Sequence, residues 1–363
     1  MALACGIIGL PNVGKSTLFN ALTHAGAPAS NYPFCTIDAN VGVVALPDPR
    51  LTVLADIFRS KKIVPSTTTF VDIAGLVRGA SRGEGLGNQF LSHIREVDAI
   101  AMVVRCFESA DVTHVEGHAD PLRDIDIVNL ELALADAAAV DRRLEKTKPR
   151  AKADPKLAPE VVALETLRAA LDRGVPARAM LAEPIIHRLA QELSFLTAKP
   201  MLFVANVDER PSDGTMQRVA VVRERALADG GEFIAICAQI EAELAALAPE
   251  EAAAMALELG IERSALDELI VAAYRSLKLM TFLTAGEKET RAWTIERGTK
   301  APQAAGKIHS DIERGFIRAE VVSFDDLARL NSLQAVKDAG LLRVEGRDYV
   351  MQEGDVVTFR FNV

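Results

Sequence analysis

Short apolar runs recur along the chain and are separated by turn residues or by segments with helical spacing. The runs occupy residues 5–8, 41–46, 67–73, 99–105, 200–206 and 233–238. Continuous apolar runs of this length, bounded by turn residues, are typical of buried strands. Strands that alternate with helices form a mostly parallel sheet. The pattern therefore predicts an α/β domain.

The alternation stops after residue 105, where about a hundred residues follow that are too many for one loop. Apolar positions recur there at helical spacing, at Ile127, Leu130, Leu134, Ala137 and Leu144, and again at Val161, Leu164, Leu167 and Leu171. Proline-bearing segments at 148–149 and 155–159 predict breaks between helices. We therefore predict a coiled-coil-like helical hairpin, inserted into the α/β domain at about 125–195.

The last part of the chain has a different pattern, in which short strands follow one another. Strands are predicted at 279–283, 290–295, 317–324 and 356–361, with a helix at about 301–314. A segment of about 85 residues is within the usual size of a domain. The sequence therefore predicts one domain over 1–280, which carries the hairpin, and a separate α+β domain over 281–363 without an obvious catalytic cluster.

Composition narrows the classes of protein that fit this pattern. At 363 residues, with 49% hydrophobic and 25% charged residues, the chain is an ordinary globular protein of two or three domains. No apolar run approaches the ~18 residues of a membrane span, so no membrane partner is expected. Four scattered cysteines favour a reducing cytoplasm over a disulfide framework, and none forms a metal-type pair.

Charge is unevenly distributed along the chain. The formal net charge of −9 argues against binding of nucleic acid by bulk attraction. The predicted hairpin tip is nevertheless basic, through Arg142, Arg143, Lys146, Lys148, Arg150, Lys152 and Lys156. Such a tip is a candidate contact for RNA or for a ribosomal surface. A solvated basic face without a partner fits the same pattern equally well.

The strongest motif in the chain follows the first apolar run, at residues 9–17. Its sequence, GLPNVGKST, fits the phosphate-binding loop G-x-x-x-x-G-K-[ST], in which backbone N–H groups and a helix N-terminus converge on an oligophosphate. Lys15 is expected to supply charge to the β- and γ-phosphates, and Ser16 to coordinate Mg²⁺. The residues expected to bind the nucleotide here are Asn12, Val13, Gly14, Lys15, Ser16 and Thr17.

Two later segments complete the pattern of a nucleotide switch. Thr36 lies in a polar, proline-bearing segment and is expected to close on Mg²⁺ and on the γ-phosphate. Asp72 lies at the carboxyl end of the third predicted strand, which is β-branched, and is expected to supply a carboxylate beside Mg²⁺, while the Gly75 N–H faces the γ-phosphate. Glycines recur through residues 75–87, so this segment is interpreted as a switch that a ligand orders.

Segments along essentially the whole chain resemble the YchF subfamily of Obg-like P-loop NTPases, and they occupy residues 9–17, 31–38, 79–87, 206–209 and 354–363. The resemblance implies a TRAFAC-class G domain, a coiled-coil insertion and a C-terminal TGS domain of β-grasp shape. Members of this subfamily look like GTPases but favour ATP. They are associated with ribosomes and translation, and with redox and stress responses. The resemblance therefore implies ATP as the substrate and a ribosomal partner.

The segment after the fifth apolar run lies where a base-reading motif belongs, and it departs from a guanine reader. Val207 replaces the lysine of N-K-x-D, and Glu209, which is one methylene longer, replaces its aspartate. The side chains that contact guanine in that motif are therefore absent or displaced. We expect Asn206 and the Val207 backbone to read N6 and N1 of adenine, with Phe107 stacking nearby. Cys237, at the end of the next strand, is expected to support the base. The alternative, in which Glu209 still reaches guanine, stays open.

The catalytic group common in GTPases is missing from its usual place. Leu76 stands where many of them have a water-orienting glutamine, so slow intrinsic hydrolysis is expected. His114 matches a histidine position of the subfamily and is the candidate helper, although a surface histidine without a role fits equally well. Asn12 resembles the loop asparagine with which related enzymes hold K⁺ beside the phosphates. Cys35, next to Thr36, is a candidate for redox control, with an inert small side chain as the alternative.

Three functional classes remain open from the sequence. The first is a Mg²⁺-dependent ATPase that acts as a switch on a ribosomal partner, with a GTP preference as its variant. The second is a ribosome-binding module in which the nucleotide is mainly structural. The third is a phosphotransferase that uses the same loop, although no acceptor-binding lid is evident. The switch residues favour the first class, and a monomer is favoured.

Overall fold

The computed structural model describes residues 3–25, 40–73, 86–109, 115, 118–261 and 263–362. Three predicted site residues, Thr36, Gly75 and His114, lie outside these ranges, as do Cys35 and Leu76. The strands are β1 (Ala4–Ile8), β2 (Val41–Ala45), β3 (Ile63–Val64), β4 (Thr67–Asp72), β5 (Ala99–Arg105), β6 (Met201–Asn206), β7 (Glu232–Ile236), β8 (Leu279–Ala285), β9 (Thr290–Glu296), β10 (Phe316–Ser323), β11 (Arg343–Glu345) and β12 (Asp355–Phe361).

The helices occupy most of the remaining described chain. They are α1 (Lys15–Ala25), α2 (Arg50–Phe58), α3 (Leu86–Glu96), α4 (Pro121–Ala153), α5 (Ala158–Asp172), α6 (Pro184–Glu192), α7 (Asp213–Ala228), α8 (Ala238–Ala246), α9 (Pro249–Glu258), α10 (Ala265–Ser276), α11 (Ala301–Ile308), α12 (Ser310–Arg314), α13 (Phe324–Leu330) and α14 (Leu333–Asp338). Among the described residues, no helix has both the length and the apolar character that a membrane span requires.

The chain divides into two compact units. The first consists of Met1–Val43 and Thr69–Ser276, and the second of Val44–Thr68 and Leu277–Val363. This division differs from the predicted limits, 1–280 and 281–363, because residues 44–68 group with the C-terminal part.

The first unit is built on a sheet with the strand order β2-β4-β1-β5-β6-β7. β1 pairs in parallel with β4 and β5, β5 with β6, and β6 with β7. β5 and β6 are buried along their whole length, as expected for continuous apolar strands in a parallel sheet. Parallel strands present their carboxyl ends at one edge, so the turns that follow them meet there. The predicted α/β fold with a mostly parallel sheet is confirmed.

The long insertion between β5 and β6 begins with a helical hairpin of α4 and α5. The hairpin has an apolar core that includes Leu144 and Leu164. The predicted break at Pro149 is wrong, because α4 continues through this residue to Ala153. Pro149 removes only its own N–H bond to the carbonyl of Glu145, and both residues are exposed to water, so the helix tolerates the loss.

The second unit is built on a mixed sheet with the strand order β11-β10-β12-β8-β9-β3. β3, which comes from the 44–68 segment, extends this sheet by pairing with β9. α2, from the same segment, contributes the buried Leu51 and Leu54 to a cluster with Leu283 and Val356. The sequence pattern missed this grouping, because an apolar helix face does not reveal which surface covers it.

Two helices, α11 and α12, stand where one helix was predicted at about 301–314. His309 separates them, because its backbone is extended (φ −163°, ψ 142°). Its Nδ1 accepts a hydrogen bond of 3.2 Å from the Asp311 N–H, which caps the second helix. The predicted α+β character of the C-terminal part is confirmed.

Candidate functional site

A cavity of about 820 Å³ lies at the carboxyl ends of β1, β5, β6 and β7 in the first unit. This volume is within the usual range of small-molecule sites. The cavity is lined by Asn12, Gly14, Lys15, Ser16, Thr17, Phe107, Glu108, Ser109, Asn206, Val207, Asp208, Glu209, Arg210, Cys237, Ala238 and Gln239. It therefore joins the phosphate-binding loop to the segment predicted to read a base.

The loop after β1 adopts backbone conformations that favour glycine. Gly9 has a φ of +151°, and a Cβ at this position would lie 2.5 Å from the carbonyl oxygen of Val103. Gly14 has a φ of +97°. Asn12 lies in the left-handed region with a φ of 61°, which asparagine tolerates better than most residues. The loop therefore requires the glycines of the motif and accommodates the asparagine between them.

Asn206, at the end of β6, connects the loop to the start of α8. Its Nδ2 donates to the Val13 carbonyl oxygen at 2.9 Å, and its Oδ1 accepts from the Ala238 N–H at 3.1 Å. A Cβ on Gly14 would lie 2.2 Å from Asn206 Nδ2, so only glycine leaves room for the amide. These two bonds give Asn206 a positioning role at the loop. The amide oxygen can accept a second hydrogen bond, so the predicted contact with adenine N6 stays a prediction.

Lys15, the first residue of α1, is buried. Its Nζ donates to the carbonyl oxygen of Leu10 at 2.8 Å, so the side chain lies over the loop. Burial lowers the pKa of Lys15 to about 8, and the charge of Asp72 opposes this shift. An anionic phosphate in the loop would favour the charged form. This geometry is compatible with the predicted role of Lys15.

Ser16 and Asp72 form a polar pair beside Lys15. Ser16 Oγ donates to Asp72 Oδ2 at 3.2 Å. The other carboxylate oxygen of Asp72, Oδ1, is buried and has no hydrogen-bond partner among the described residues. Burial raises the pKa of the Asp72 carboxyl, and Ser16 and Lys15 oppose that shift. A buried carboxylate oxygen next to a hydroxyl fits Mg²⁺, which prefers oxygen ligands.

The described residues contain no group of three or more His, Cys, Asp or Glu side chains that could hold a metal ion. A Mg²⁺ ion at Ser16 and Asp72 would therefore complete its coordination with phosphate oxygens and water, as this ion commonly does. The residues present fit Mg²⁺ bound together with a nucleotide, rather than a metal held by the protein alone.

The segment after β5 forms one wall of the cavity. The N–H groups of Cys106 and Phe107 both donate to the carbonyl oxygen of Asn206, at 2.9 and 3.1 Å. The Glu108 N–H donates to Asp208 Oδ1 at 3.2 Å. The wall is thus fixed to the end of β6, and Phe107 lines the cavity. Its stacking on the base stays a prediction.

The end of β6 differs from the predicted base-reading arrangement in one contact. The Val207 N–H donates to the Ile236 carbonyl oxygen at 2.9 Å, so the predicted donation to adenine N1 is revised. Asp208 Oδ2 accepts from the Thr215 hydroxyl at 2.8 Å and is thereby engaged near the start of α7. The Glu209 side chain is exposed and lines the cavity, which makes it accessible to a ligand.

The cysteines in the described residues are free thiols. Burial raises the pKa of Cys5 and of Cys106 to about 12, so both stay protonated at neutral pH. Cys237 is the N-cap residue of α8 and lines the cavity. Burial raises its pKa as well, although backbone hydrogen bonds from Gln239 and Ile240 oppose the shift. Cys5 and Cys106 are buried packing groups, whereas Cys237 is half-buried at the cavity, where its support of the base stays a prediction.

Several cavity residues lay outside the sequence prediction, namely Glu108, Ser109, Asp208, Arg210, Ala238 and Gln239. Each follows β5, β6 or β7 within a few residues, so the rule that ligands bind beyond the carboxyl ends of parallel strands could have found them. Gln239, in the first turn of α8, donates its Nε2 to Glu243 Oε1 at 2.7 Å. This bond orients the amide and leaves Oε1 as its acceptor.

The structure brings together the predicted site residues that it describes. Those that line the cavity are Asn12, Gly14, Lys15, Ser16, Thr17, Phe107, Asn206, Val207, Glu209 and Cys237. Asp72 joins them through its bond to Ser16, and Val13 contributes its carbonyl group. Thr36, Gly75 and His114 lie outside the described residues.

Comparison with known proteins shows the family of the chain. Residues 4–137 match the MMR_HSR1 family model, described as a 50S ribosome-binding GTPase, and residues 279–362 match YchF-GTPase_C, described as a protein of unknown function (DUF933). The ribosome-binding ATPase YchF of Bacillus subtilis is 52% identical over 100% of both chains. The chain belongs to the YchF family.

Other YchF proteins show the same extent of similarity. Those of Haemophilus influenzae and Escherichia coli O157:H7 are 50% and 49% identical over 100% of both chains. The structure of the Schizosaccharomyces pombe YchF GTPase is 37% identical and matches with a TM-score of 0.82, over 99% of this chain and 97% of that chain. YchF membership confirms the predicted P-loop fold. The names of these relatives differ on the nucleotide, because the bacterial proteins are called ATPases and the S. pombe protein a GTPase.

Proposed function

We propose that this protein is a Mg²⁺-dependent ATPase that acts as a nucleotide-controlled switch on the ribosome, in translation or in stress regulation. The observation that carries the proposal is the cavity in which the phosphate-binding loop, the Ser16–Asp72 pair and the Phe107 wall meet. YchF relatives at 49–52% identity are named ribosome-binding ATPases, which supports both the nucleotide and the partner.

The phosphate end of the cavity provides charge for hydrolysis. Lys15 would place its ammonium group against the phosphates, and its release from the Leu10 carbonyl requires only a side-chain movement. Ser16 and Asp72 would hold Mg²⁺, which neutralises the charge of the β- and γ-phosphate oxygens when it is bound. The contribution of this end is therefore positioning and electrostatic stabilisation.

Water activation is the weaker part of the catalytic site. An apolar side chain at position 76 cannot orient a water molecule, so we expect slow intrinsic hydrolysis. Thr36 and Gly75 are the residues proposed to complete the γ-phosphate site, and His114 is the proposed helper. We also propose that Asn12 supports binding of K⁺ beside the phosphates.

The base end of the cavity supports ATP over GTP. Adenine presents an amine at C6, where guanine presents a carbonyl oxygen. The amide oxygen Oε1 of Gln239 is an acceptor that would complement this amine, and the bond from Nε2 to Glu243 orients the amide. Val207 and Glu209 remove the contacts of a guanine reader. The alternative is a GTP-preferring enzyme in which the exposed Glu209 carboxylate reaches guanine.

Displacement of a fluorescent ATP analogue by ATP, GTP and tripolyphosphate, in the presence of Mg²⁺, tests the nucleotide assignment. We expect ATP to compete roughly tenfold better than GTP, because a polar site discriminates against a base that leaves its groups unpaired. A preference for GTP would overturn the choice of ATP, and no displacement by any nucleotide would overturn the site itself.

The K⁺ proposal is tested by the rate of ATP hydrolysis in K⁺ and in Na⁺. Equal rates in the two salts would overturn it.

The tip of the helical hairpin is the surface that we propose to contact the ribosome. Part of its charge is balanced within the hairpin, since Arg143 pairs with Glu160 and Lys148 with Glu165, each at 2.8 Å. Basic side chains attract the phosphates of RNA even when the whole chain is acidic. Exposed basic residues remain at the tip, namely Arg142, Lys146, Arg150, Lys152 and Lys156.

Co-sedimentation with ribosomes tests this contact. The double substitution Arg150→Glu with Lys152→Glu should lower the bound fraction at least severalfold, and the loss should shrink as salt is raised. Lys278→Glu with Lys337→Glu reverses the same number of exposed charges elsewhere and serves as the control. Equal binding of both double variants would overturn the tip contact. A wild-type protein that binds ribosomes in no nucleotide state would overturn the partner.

A second candidate is a ribosome-binding module in which the nucleotide is mainly structural. This class would be favoured if the Lys15→Ala variant lost hydrolysis but kept ribosome binding and its cellular effect.

We further propose that residues 281–363 are a TGS domain of β-grasp shape, and that the protein acts in the cytoplasm as a monomer. The mixed sheet of the second unit and the YchF-GTPase_C match support the TGS proposal.

A further inference from the structure

Arg105 ends β5 directly behind the wall of the proposed nucleotide cavity. The residue is 3% exposed, and the described residues that line the cavity do not include it. A buried guanidinium group is costly unless specific contacts compensate for the lost water. Its contacts therefore indicate which part of the site it supports.

These contacts converge on the segment that forms the cavity wall. Arg105 Cζ lies over the Phe107 ring, 4.4 Å from its centroid, in a cation–π contact. Arg105 Nε donates to the carbonyl oxygen of Phe107 at 3.3 Å, and Nη2 donates to the carbonyl oxygen of Ser109 at 3.4 Å. One side chain thus holds both the ring and the backbone of the same segment.

The surrounding charges keep this cation in place. Burial lowers the pKa of Arg105, and the carboxylates of Asp124 and Asp208 oppose the shift. Arg218 holds the same wall at different atoms, because its Nε donates to the Cys106 carbonyl oxygen at 2.9 Å and its Nη1 pairs with Glu108 at 2.8 Å. Arg218 thus holds the backbone and Glu108, whereas the cation–π contact with the Phe107 ring among the described residues comes from Arg105.

We propose that Arg105 is a positioning residue for the base of the nucleotide, because it holds the Phe107 ring as a flat surface on which the purine stacks. This inference rests on the nucleotide site proposed above. A ring that is fixed before the ligand arrives saves the cost of ordering it on binding. The phosphates bind at the loop, so the contribution of Arg105 requires a base and is absent for a ligand without one.

Two substitutions of Arg105 test the proposal with ligands that do and do not carry a base. Arg105→Met removes the positive charge and the planar guanidinium group, and should weaken the binding of ATP about five- to tenfold. Arg105→Lys keeps the charge and should lose less. The binding of tripolyphosphate, measured by displacement of the same fluorescent analogue, should change less than about twofold, because the loop is not altered.

Arg178→Met is the matched control. Arg178 is a partly buried arginine of the first unit, and it pairs with Asp229 at 3.3 Å, away from the cavity lining. This variant should bind ATP and tripolyphosphate as the wild-type protein does. Unchanged ATP binding in Arg105→Met, or an equal loss for both ligands, would overturn the proposal. Failure of the wild-type protein to bind either ligand would instead overturn the proposed function.

A double substitution keeps the test decisive if Arg105→Met does not fold. Phe107→Leu removes the ring through which Arg105 acts, so Arg105→Lys should cost little further ATP affinity in the Phe107→Leu background. Residues that act through one contact are not additive, whereas independent residues are. Additive losses of ATP affinity in the double variant would therefore overturn the positioning role.

Discussion

Asn206 Nδ2 donates a hydrogen bond of 2.9 Å to the carbonyl oxygen of Val13, and this bond connects the end of β6 to the phosphate-binding loop. The same amide accepts a bond from the Ala238 N–H at the start of α8. One buried side chain therefore fixes three turns at the carboxyl edge of the sheet. A residue that the sequence placed at the base thus supports the phosphate end of the site.

Replacement of Asn206 should weaken binding of the phosphates as well as of the base. Asn206→Ala leaves the Val13 carbonyl and the Ala238 N–H without their partner, which costs about 1–3 kcal/mol for each buried group. We expect ATP and tripolyphosphate to lose affinity by similar factors in the displacement assay. Asn129→Ala, on α4, is the control. A loss confined to ATP would show that Asn206 contacts the base directly.

Gly14→Ala should abolish nucleotide binding. The substitution combines a backbone at φ +97° with a Cβ placed 2.2 Å from Asn206 Nδ2, so the loop or the amide has to move. Gly174→Ala is a matched control, because Gly174 has a φ of +75° with nothing within 4 Å of its Cβ position. Both variants should lose about 1–3 kcal/mol of stability from backbone strain, but only Gly14→Ala should lose ATP. Normal ATP binding by Gly14→Ala would contradict the geometry of the loop.

The pKa of Lys15, lowered to about 8, should make ATP binding depend on pH. The charged amine binds phosphate, so the affinity should be constant below pH 7 and fall as the pH rises through 8 and beyond. Calorimetric titration between pH 6.5 and 9.5 measures this dependence, and Lys15→Met should remove it. An affinity of the wild-type protein that is flat over this range would contradict the lowered pKa.

The same pKa shift has the opposite effect on the stability of the protein without ligand. The ordinary pKa of lysine is 10.5, so between about pH 8 and 10.5 the unfolded chain binds more protons at Lys15 than the folded one. The free energy of unfolding of the wild-type protein should therefore rise with pH across this window, relative to Lys15→Met. Urea denaturation at several pH values measures the difference.

Asp72→Asn should separate nucleotide binding from its dependence on Mg²⁺. The asparagine amide keeps a partner for Ser16 Oγ but carries no negative charge. The charge that is lost belongs to a carboxylate whose Oδ1 is buried and has no hydrogen bond among the described residues. We expect Mg²⁺ to increase the ATP affinity of the wild-type protein about tenfold or more, and to have little effect in the variant. Asp98→Asn, at a carboxylate that accepts from the Ala4 N–H, is the control. A full Mg²⁺ response in Asp72→Asn would exclude Asp72 from the ion site.

Leu54→Ala should destabilise the second unit. Leu54 is fully buried on α2 and packs in the cluster that contains Leu283 and Val356, so its truncation should cost roughly 2–5 kcal/mol. Trp293, the one tryptophan of the chain, lies in β9 of the same unit and reports its unfolding by fluorescence. Val53→Ala, at a position 39% exposed, should cost little. Equal unfolding midpoints for the two variants would contradict the assignment of residues 44–68 to this unit.

The sequence by itself determined the features that depend on local chemistry. Continuous apolar runs identified β5 and β6, because strands buried on both faces need apolar side chains at every position. The G-x-x-x-x-G-K-[ST] spacing identified the phosphate loop, because its backbone conformations at Gly9 and Gly14 are strained for other residues. The order of these segments then predicted a sheet whose turns meet at one cavity.

Only the tertiary structure decided which atoms of the site are available to a ligand. Val13 and Asn206 are 193 positions apart, and no local pattern shows that their bond uses the amide expected to read adenine. The Val207 N–H is likewise engaged by a neighbouring strand. Residues 44–68 group with the C-terminal part for a similar reason, since the apolar face of α2 is specified by sequence but its covering surface is not. Hydrogen-bond partners and packing partners depend on distance in space, and the sequence encodes that distance only through the whole fold.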